Sequence, residues 1–420
     1  MCFSVLASVG WAKKTVCSIT INSNDEVEAA KKMLPAQDFD FIELTQMGGD
    51  DWFKRACEKK VSCDVLIVSG HFGGTFFGSS QKTLPISELE SESCSNQCDS
   101  ILKQPKEVFL FGCNTLAGKN QDKRTPEQYR EVLMQDGFTA AQAEQVVAFR
   151  YSPIGINFSS RMAHIFRNTS RIYGFNSVSP LGKYTGPMLE KYFESMNPAS
   201  YSGYLDNVQS SVNQNMRTAF KGTSYVQEQG REFGDKEAFP VCVLSKGQSN
   251  MSRSDKLNWV KSKLEGSSSL ETLTYVSEFL KTESWNKKWN SDEEKIIEEI
   301  GQIPHLKNQL DLILASNVSW LKRTQIEVLE LMLYLKIITP DMQKERALTL
   351  LGLNEPNFNQ EKMAYVCGLN IKMHFDPKKI IKENWSNYYF RNAVKCILPP
   401  WPASAEIWKF IEKNEQQSNY

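Results

Sequence analysis

Charge of one sign is what this chain lacks most plainly: Lys and Arg total 49, Asp and Glu total 49, and the formal balance is zero. A surface with no net field has nothing to draw in a polyanion over its whole extent, so nucleic acid is not an expected partner. Long uncharged apolar runs are missing as well. The most apolar stretch, Ile326 to Ile338, is interrupted by Glu327, Glu330 and Lys336, so no membrane span is expected. No fixed-period repeat runs through the chain. Histidine numbers only four, and no second pair of ligands accompanies Cys94 and Cys98 to complete a four-ligand zinc site. Neither a metal nor a cofactor is therefore expected.

A chain of 420 residues has room for two or three domains with their own cores. Residues 1–12 are apolar and end Val9-Gly10-Trp11-Ala12, with small residues where a signal peptidase inspects the chain. They read as a signal-peptide remnant, with a short leading strand as the alternative. Export and a cytoplasmic location both stay open. Ten cysteines allow disulfides if the protein is exported.

From residue 13 the pattern alternates strand and helix. Val16–Ile21, Phe39–Leu44, Val65–Ser69, Val108–Phe111 and Arg171–Phe175 read as strands, and Phe239–Leu244 as a last one. Helices are expected from Asn24, over Asp51–Lys59 and Ser87–Ser93, from Thr125-Pro126, and over Pro187–Tyr192. Residues 206–235 are polar and read as a long loop or lid. The fold class is thus α/β with a doubly wound, mainly parallel sheet over residues 13–247. Gly247–Ser254 reads as a linker, and residues 255–420 as an all-α domain, a bundle or short solenoid. Capping boxes are expected at Ser291–Glu294 and Thr324–Glu327, and Thr339-Pro340 as a helix stop.

Two apolar runs end in reactive side chains. Cys63-Asp-Val-Leu-Ile-Val-Ser-Gly70 is followed by His71, and Glu107-Val-Phe-Leu-Phe-Gly112 by Cys113. In parallel sheets ligands bind beyond the carboxyl ends of strands, so an imidazole and a thiol delivered there can face one cleft. A free thiol has a pKa near ~8.5 and needs a basic neighbour to become a nucleophile at neutral pH. His71 and Cys113 are the expected catalytic pair. Backbone N–H groups at Gly73 and Cys113 are the expected oxyanion donors, each worth about 3 kcal/mol. Gly70, Phe72, Gly74, Gly112, Asn114 and Thr115 are expected to line the cleft, the last two fixing the loop after the thiol.

Gly70-His71-Phe72-Gly73-Gly74 after one strand, and Phe111-Gly112-Cys113-Asn114-Thr115 after the next, resemble the dyad motifs of caspase-like cysteine peptidases, nearest to the CHAT-domain and separase branches. His71 precedes Cys113 by 42 residues, against roughly 50 in caspases. The likeness spans about residues 15–200. The chain departs from it in placing Phe72 between His71 and the glycine pair, and it lacks the Gln-Ala-Cys signature of caspases. The resemblance implies a caspase-like fold and a cysteine endopeptidase acting on a protein or peptide substrate, with the helical half as a docking place for a protein regulator.

Other readings stand beside this one. The same fold without turnover would be a binding or scaffold protein. Cys94 and Cys98, spaced C-x-x-x-C, form a candidate disulfide or the centre of a thiol redox protein. Cys57 and Cys63 read as core. His164, His305 and His374 read as structural, as do most tryptophans of the helical half; Asp122 and Arg124 read as a solvated charge run within reach of the cleft rim. Pro399–Pro402 is stiff enough to dock a partner.

Overall fold

Every residue of the strands β3 (Val65–Ser69) and β7 (Glu107–Phe111) is buried, as is every residue of β8 (Arg171–Phe175). Strands buried on both faces need layers on both sides, which is the setting of a parallel sheet. The computed structural model describes residues 13–118, 124–140, 143, 146–147, 157–231, 240–244, 250–265, 269–286, 288–315, 322–351, 360–371, 388–399 and 405–417. The expected remnant at 1–12 lies outside them. The chain divides into two compact units between Asn250 and Met251.

In the first unit, β1 (Lys14–Thr20), β2 (Phe39–Glu43), β3, β7 and β8 run parallel, and β9 (Tyr225–Glu228) closes the edge antiparallel, in the order β2-β1-β3-β7-β8-β9. The period of two sorts side chains between two cores. Leu66, Val68, Val108 and Leu110 pack with Trp52, Phe53, Leu89 and Phe158 on one face. Val65, Ile67, Phe109 and Phe111 pack with Val27, Leu189 and Phe193 on the other. The first face is covered by α2 (Trp52–Glu58), α3 (Ile86–Ser95), α4 (Asp99–Leu102) and the Phe158–Ile165 helix. The second is covered by α1 (Asp25–Met33) and the Gly182–Ser195 helix. A fully buried ion pair, Arg161 to Glu90, ties the Phe158–Ile165 helix to α3. Beneath the second face the buried Glu107 carboxylate accepts from the hydroxyls of Tyr173, Tyr192, Tyr201 and Tyr204, with Arg171 at 3.6 Å. Satisfied in this way, a buried charge fixes the covering helices instead of splitting them apart.

Disulfides staple the first face. Cys17 pairs with Cys63, Cys57 with Cys98, and Cys94 with Cys242. The expected Cys94–Cys98 bridge is therefore wrong. Cys94 belongs to α3, the chain reverses at left-handed Asn96 (φ 60°), and Cys98 caps α4. The reversal turns Cys98 toward α2 and leaves Cys94 facing the Pro240–Leu244 helix. That helix also corrects the expected last strand, whose Phe239 lies outside the described residues. The true edge strand, β9, lies within the expected 206–235 loop, next to a helix at Gln214–Ala219. All four residues of β9 are half-buried, so no apolar run announces it.

The second unit, where described, is helical: Arg253–Leu264, Ser269–Asn286, Ser291–Gly301, Pro304–Leu314, Lys322–Tyr334, Pro340–Leu351, Gln360–Gly368, Tyr388–Ile397 and Ala405–Gln417. Its capping boxes differ from expectation. Asn290, not Ser291, caps its helix, with Glu293 reaching back. Thr324 sits inside a helix that begins at Lys322. That helix ends at Tyr334, and Pro340 opens the next one at the position where a missing N–H costs nothing. A fourth disulfide joins Cys367 to Cys396. Arg253 stacks over Trp289, which donates to Ser284. Trp320, Trp385, Trp401 and residues 400–402 of the proline-rich segment lie outside the described residues. No helix among the described residues is long and apolar enough to cross a membrane.

Candidate active site

The strand order reverses direction at β1, since the chain moves one way to β2 and the other to β3, β7 and β8. Crevices in open parallel sheets form beyond the carboxyl ends of strands at such a switch point. A narrow cleft opens there, lined by Asn22 and Ser23 after β1, Gly70 and His71 after β3, and Gly112 and Cys113 after β7. It also takes Glu26 from α1, Asp136 and Phe138 from the segment after α5 (Pro126–Gln135), and Ser179 to Gly182 after β8. Water-accessible space inside it is about 40 Å³, room for a few waters.

Backbone pairing brings the two reactive residues together. β3 and β7 run in register from Val65–Glu107 to Ser69–Phe111, and the Gly70 N–H extends the ladder to the Phe111 carbonyl. A Cβ at Gly112 would lie 2.7 Å from the Gly70 carbonyl oxygen, so only glycine lets the strand ends approach this closely. Asn114, left-handed at φ 64°, then turns the chain and donates its N–H to Ser177. The Thr115 hydroxyl donates to the carbonyls of Leu110 and Gly112 and accepts the Phe175 N–H. Both residues are fully buried and hold the loop.

Of the residues expected to line the cleft, Gly70 and Gly112 do so with His71 and Cys113. Phe72, Gly74, Asn114 and Thr115 do not. Phe72 is fully buried against Phe76 and Phe158, because residues 71–72 form a short strand paired with Thr75–Phe77 and not an open loop. Gly74 (φ 96°) makes the turn of that hairpin. Gly73 is also removed from the expected oxyanion role: its N–H points to the Thr75 carbonyl at 3.4 Å, and Val146 sits on it where a Cβ would be. The amide that does reach the sulfur is that of Ser179, donating to Cys113 Sγ at 3.4 Å. Ser179 lies in a Ser-Val-Ser-Pro stretch with no motif to mark it.

Burial controls the electrostatics. Cys113 is 4% exposed, and its thiol is pushed up to about 12, mainly by burial and further by the Asp136 charge, against the Ser179 N–H. A thiol at that value is thiolate in only about one molecule in 10⁵ at pH 7. Burial lowers His71, which therefore rests neutral. Burial also raises Asp136, against the pull of Arg124. Arg124 also acts on the thiol and stacks over Tyr129 but is not among the residues lining the cleft; Asp122 lies outside the described residues. His164 and His305 bond to the carbonyls of Ser160 and Leu264, in keeping with structural roles, and His374 lies outside the described residues.

Glu26 escaped the sequence reading because an acid in the first turn of a helix is ordinary. Here it is 2% exposed and accepts from Ser69 (2.9 Å) and Thr185, with no ion pair to a cation among the described residues. Burial raises it from its ordinary value near 4.5. The fold thus favours its protonated form: the contribution is fully present below that ordinary value and is lost as pH rises through the folded one. Glu26→Gln is expected to stabilise the protein at pH 7 by about 1–2 kcal/mol. Urea melts of the two proteins should converge near pH 4, and a gap that widens toward acid would contradict this account.

Comparisons with protein-family models, with curated proteins and with solved structures give no match to this chain.

Proposed function

We propose that the α/β unit is a cysteine endopeptidase of caspase-like fold, with Cys113 as nucleophile and His71 as its base. One observation carries this reading: among the described cysteines Cys113 alone is unpaired, and it shares a cleft at the strand ends with His71. Eight other cysteines are oxidised, which favours an exported protein. A thiol kept reduced in such company needs a reason. In the proposed reaction His71 takes the thiol proton, the sulfur attacks the scissile carbonyl, and the imidazolium protonates the leaving amine. Water then hydrolyses the thioester, with His71 again the base. The Cys113 N–H is the remaining candidate donor to the oxyanion, since the Gly73 amide is engaged elsewhere.

The scaffold reading has its own support in the burial of Cys113 and its raised pKa. The redox reading loses its basis, because Cys94 and Cys98 belong to different disulfides. Helices of the second unit remain the proposed place for a protein regulator. Incubating the purified protein with a peptide library, and sequencing the products by mass spectrometry, separates the first two readings. Cleavage at a consistent residue type is the expected result; intact peptides at every pH tested would favour the scaffold.

A further inference from the structure

We propose that the Asp136–Phe138 turn is a built-in stopper that holds the Cys113–His71 cleft shut and has to swing away before a peptide can enter. The inference rests on the peptidase reading for its purpose, but its geometry stands by itself. Phe138 is 6% exposed and lies edge-on to the His71 ring, with centroids 4.8 Å apart, and edge-on to Phe77 at 5.8 Å. Val146, further along the same segment, sits on Gly73 so closely that a Cβ there would lie 2.5 Å from its Cγ2. Phe138 thus covers one side of the half-buried imidazole, and Val146 the hairpin that carries it. Asp136 reaches the cleft beside the thiol.

The closed arrangement is stable but not comfortable. Burial of Phe138 and Val146 favours it. Asp136 opposes it, with one carboxylate oxygen buried and without a hydrogen-bond partner in a cleft that already holds the Glu26 carboxyl. Gly137, at φ 92°, supplies a backbone joint within the turn. A turn favoured by apolar burial and opposed by a buried, unpartnered oxygen can exchange between two positions. With room for a few waters and the thiol 4% exposed, the closed cleft cannot admit a peptide bond and its neighbours, and the thiol inside stays protonated.

The test is the rate at which iodoacetamide alkylates Cys113 in the folded full chain, read by mass spectrometry at neutral pH. Phe138→Ala is expected to raise that rate at least tenfold over wild type. Equal rates in wild type and Phe138→Ala would overturn the stopper. Hydrogen exchange of the wild type gives a reading that needs no variant. Amides at Phe138 and Val146 should exchange through a local opening well before those of β7, and exchange of both only on global unfolding would count against the proposal. Peptide cleavage measured on the same samples keeps the two ideas apart. Faster alkylation with no cleavage upholds the stopper and removes the peptidase reading; cleavage with unchanged alkylation does the reverse.

Discussion

Cys113→Ala is expected to bring peptide cleavage down to background, a loss of about 10⁴-fold or more, while the urea midpoint moves little. The expectation follows from where the sulfur sits. It lies at the end of β7, against the Ser179 amide and the cleft, and exchanging it for hydrogen removes one small apolar contact worth about 1 kcal/mol. His71→Ala should be equally inactive, because the Asp136 and Glu26 carboxyls that share the cleft are ordinarily far weaker bases than an imidazole toward a thiol pushed up to about 12. The double variant should be no worse than either single one, since the two groups act as a unit. Removal of His71 also takes away the ring on which Phe138 packs, so His71→Ala alone should show faster alkylation of Cys113 than its low activity would suggest. Full cleavage by Cys113→Ala would end the assignment of this thiol as nucleophile.

The placement of His71 and Cys113 in one cleft was legible because β3 and β7 are apolar at every position but the flanking ones, and a strand buried on both faces must be central. Once two such strands are neighbours, the residues after them meet. What the motifs did not show was everything supplied from a distance. Glu26, Asp136 with Phe138, and Ser179 arrive from three separate segments, and each is unremarkable in its own neighbourhood. Phe72 and Gly74 were expected to line the cleft and Gly73 to supply an oxyanion donor, yet Phe72 is drawn into the core by Phe76 and Phe158, and the hairpin that results consumes the Gly73 amide. Tertiary burial of one aromatic overrode the local preference of two glycines.

Edges and cross-links were the least legible parts of the fold. β9 needs only to satisfy one neighbour, β8, and keeps a polar sequence because its residues stay half exposed. Cysteine pairing depends on which elements pack, and spacing alone is blind to that. Cys94 and Cys98 are near in sequence, but the turn at Asn96 parts them, whereas Cys17 and Cys63 lie on and beside adjacent strands.

Removing the Cys94–Cys242 bridge is expected to destabilise the α/β unit more than removing any of the other disulfides. The bridge closes a sequence separation of 148 residues, against 46 for Cys17–Cys63 and 41 for Cys57–Cys98. In the chain-entropy account the penalty lifted from the unfolded chain grows with the logarithm of that length, giving about 5 kcal/mol for the long loop and about 4 kcal/mol for the shorter ones. Relief in the native state and residual structure in the unfolded one reduce such figures, so a measured loss of about 2–5 kcal/mol for Cys94→Ala with Cys242→Ala is the expected range. The long bridge also anchors the Pro240–Leu244 helix to α3, next to the chain's passage between its two units. Urea melts without reductant measure the loss, and non-reducing peptide maps of the wild type check the pairing that underlies it. A Cys94–Cys98 peptide in those maps, or a double variant as stable as wild type, would refute the anchoring role. With the pairing confirmed, reductant should weaken the fold while leaving the Cys113 thiol chemically unchanged, so that loss of structure and loss of nucleophile are separable in one titration.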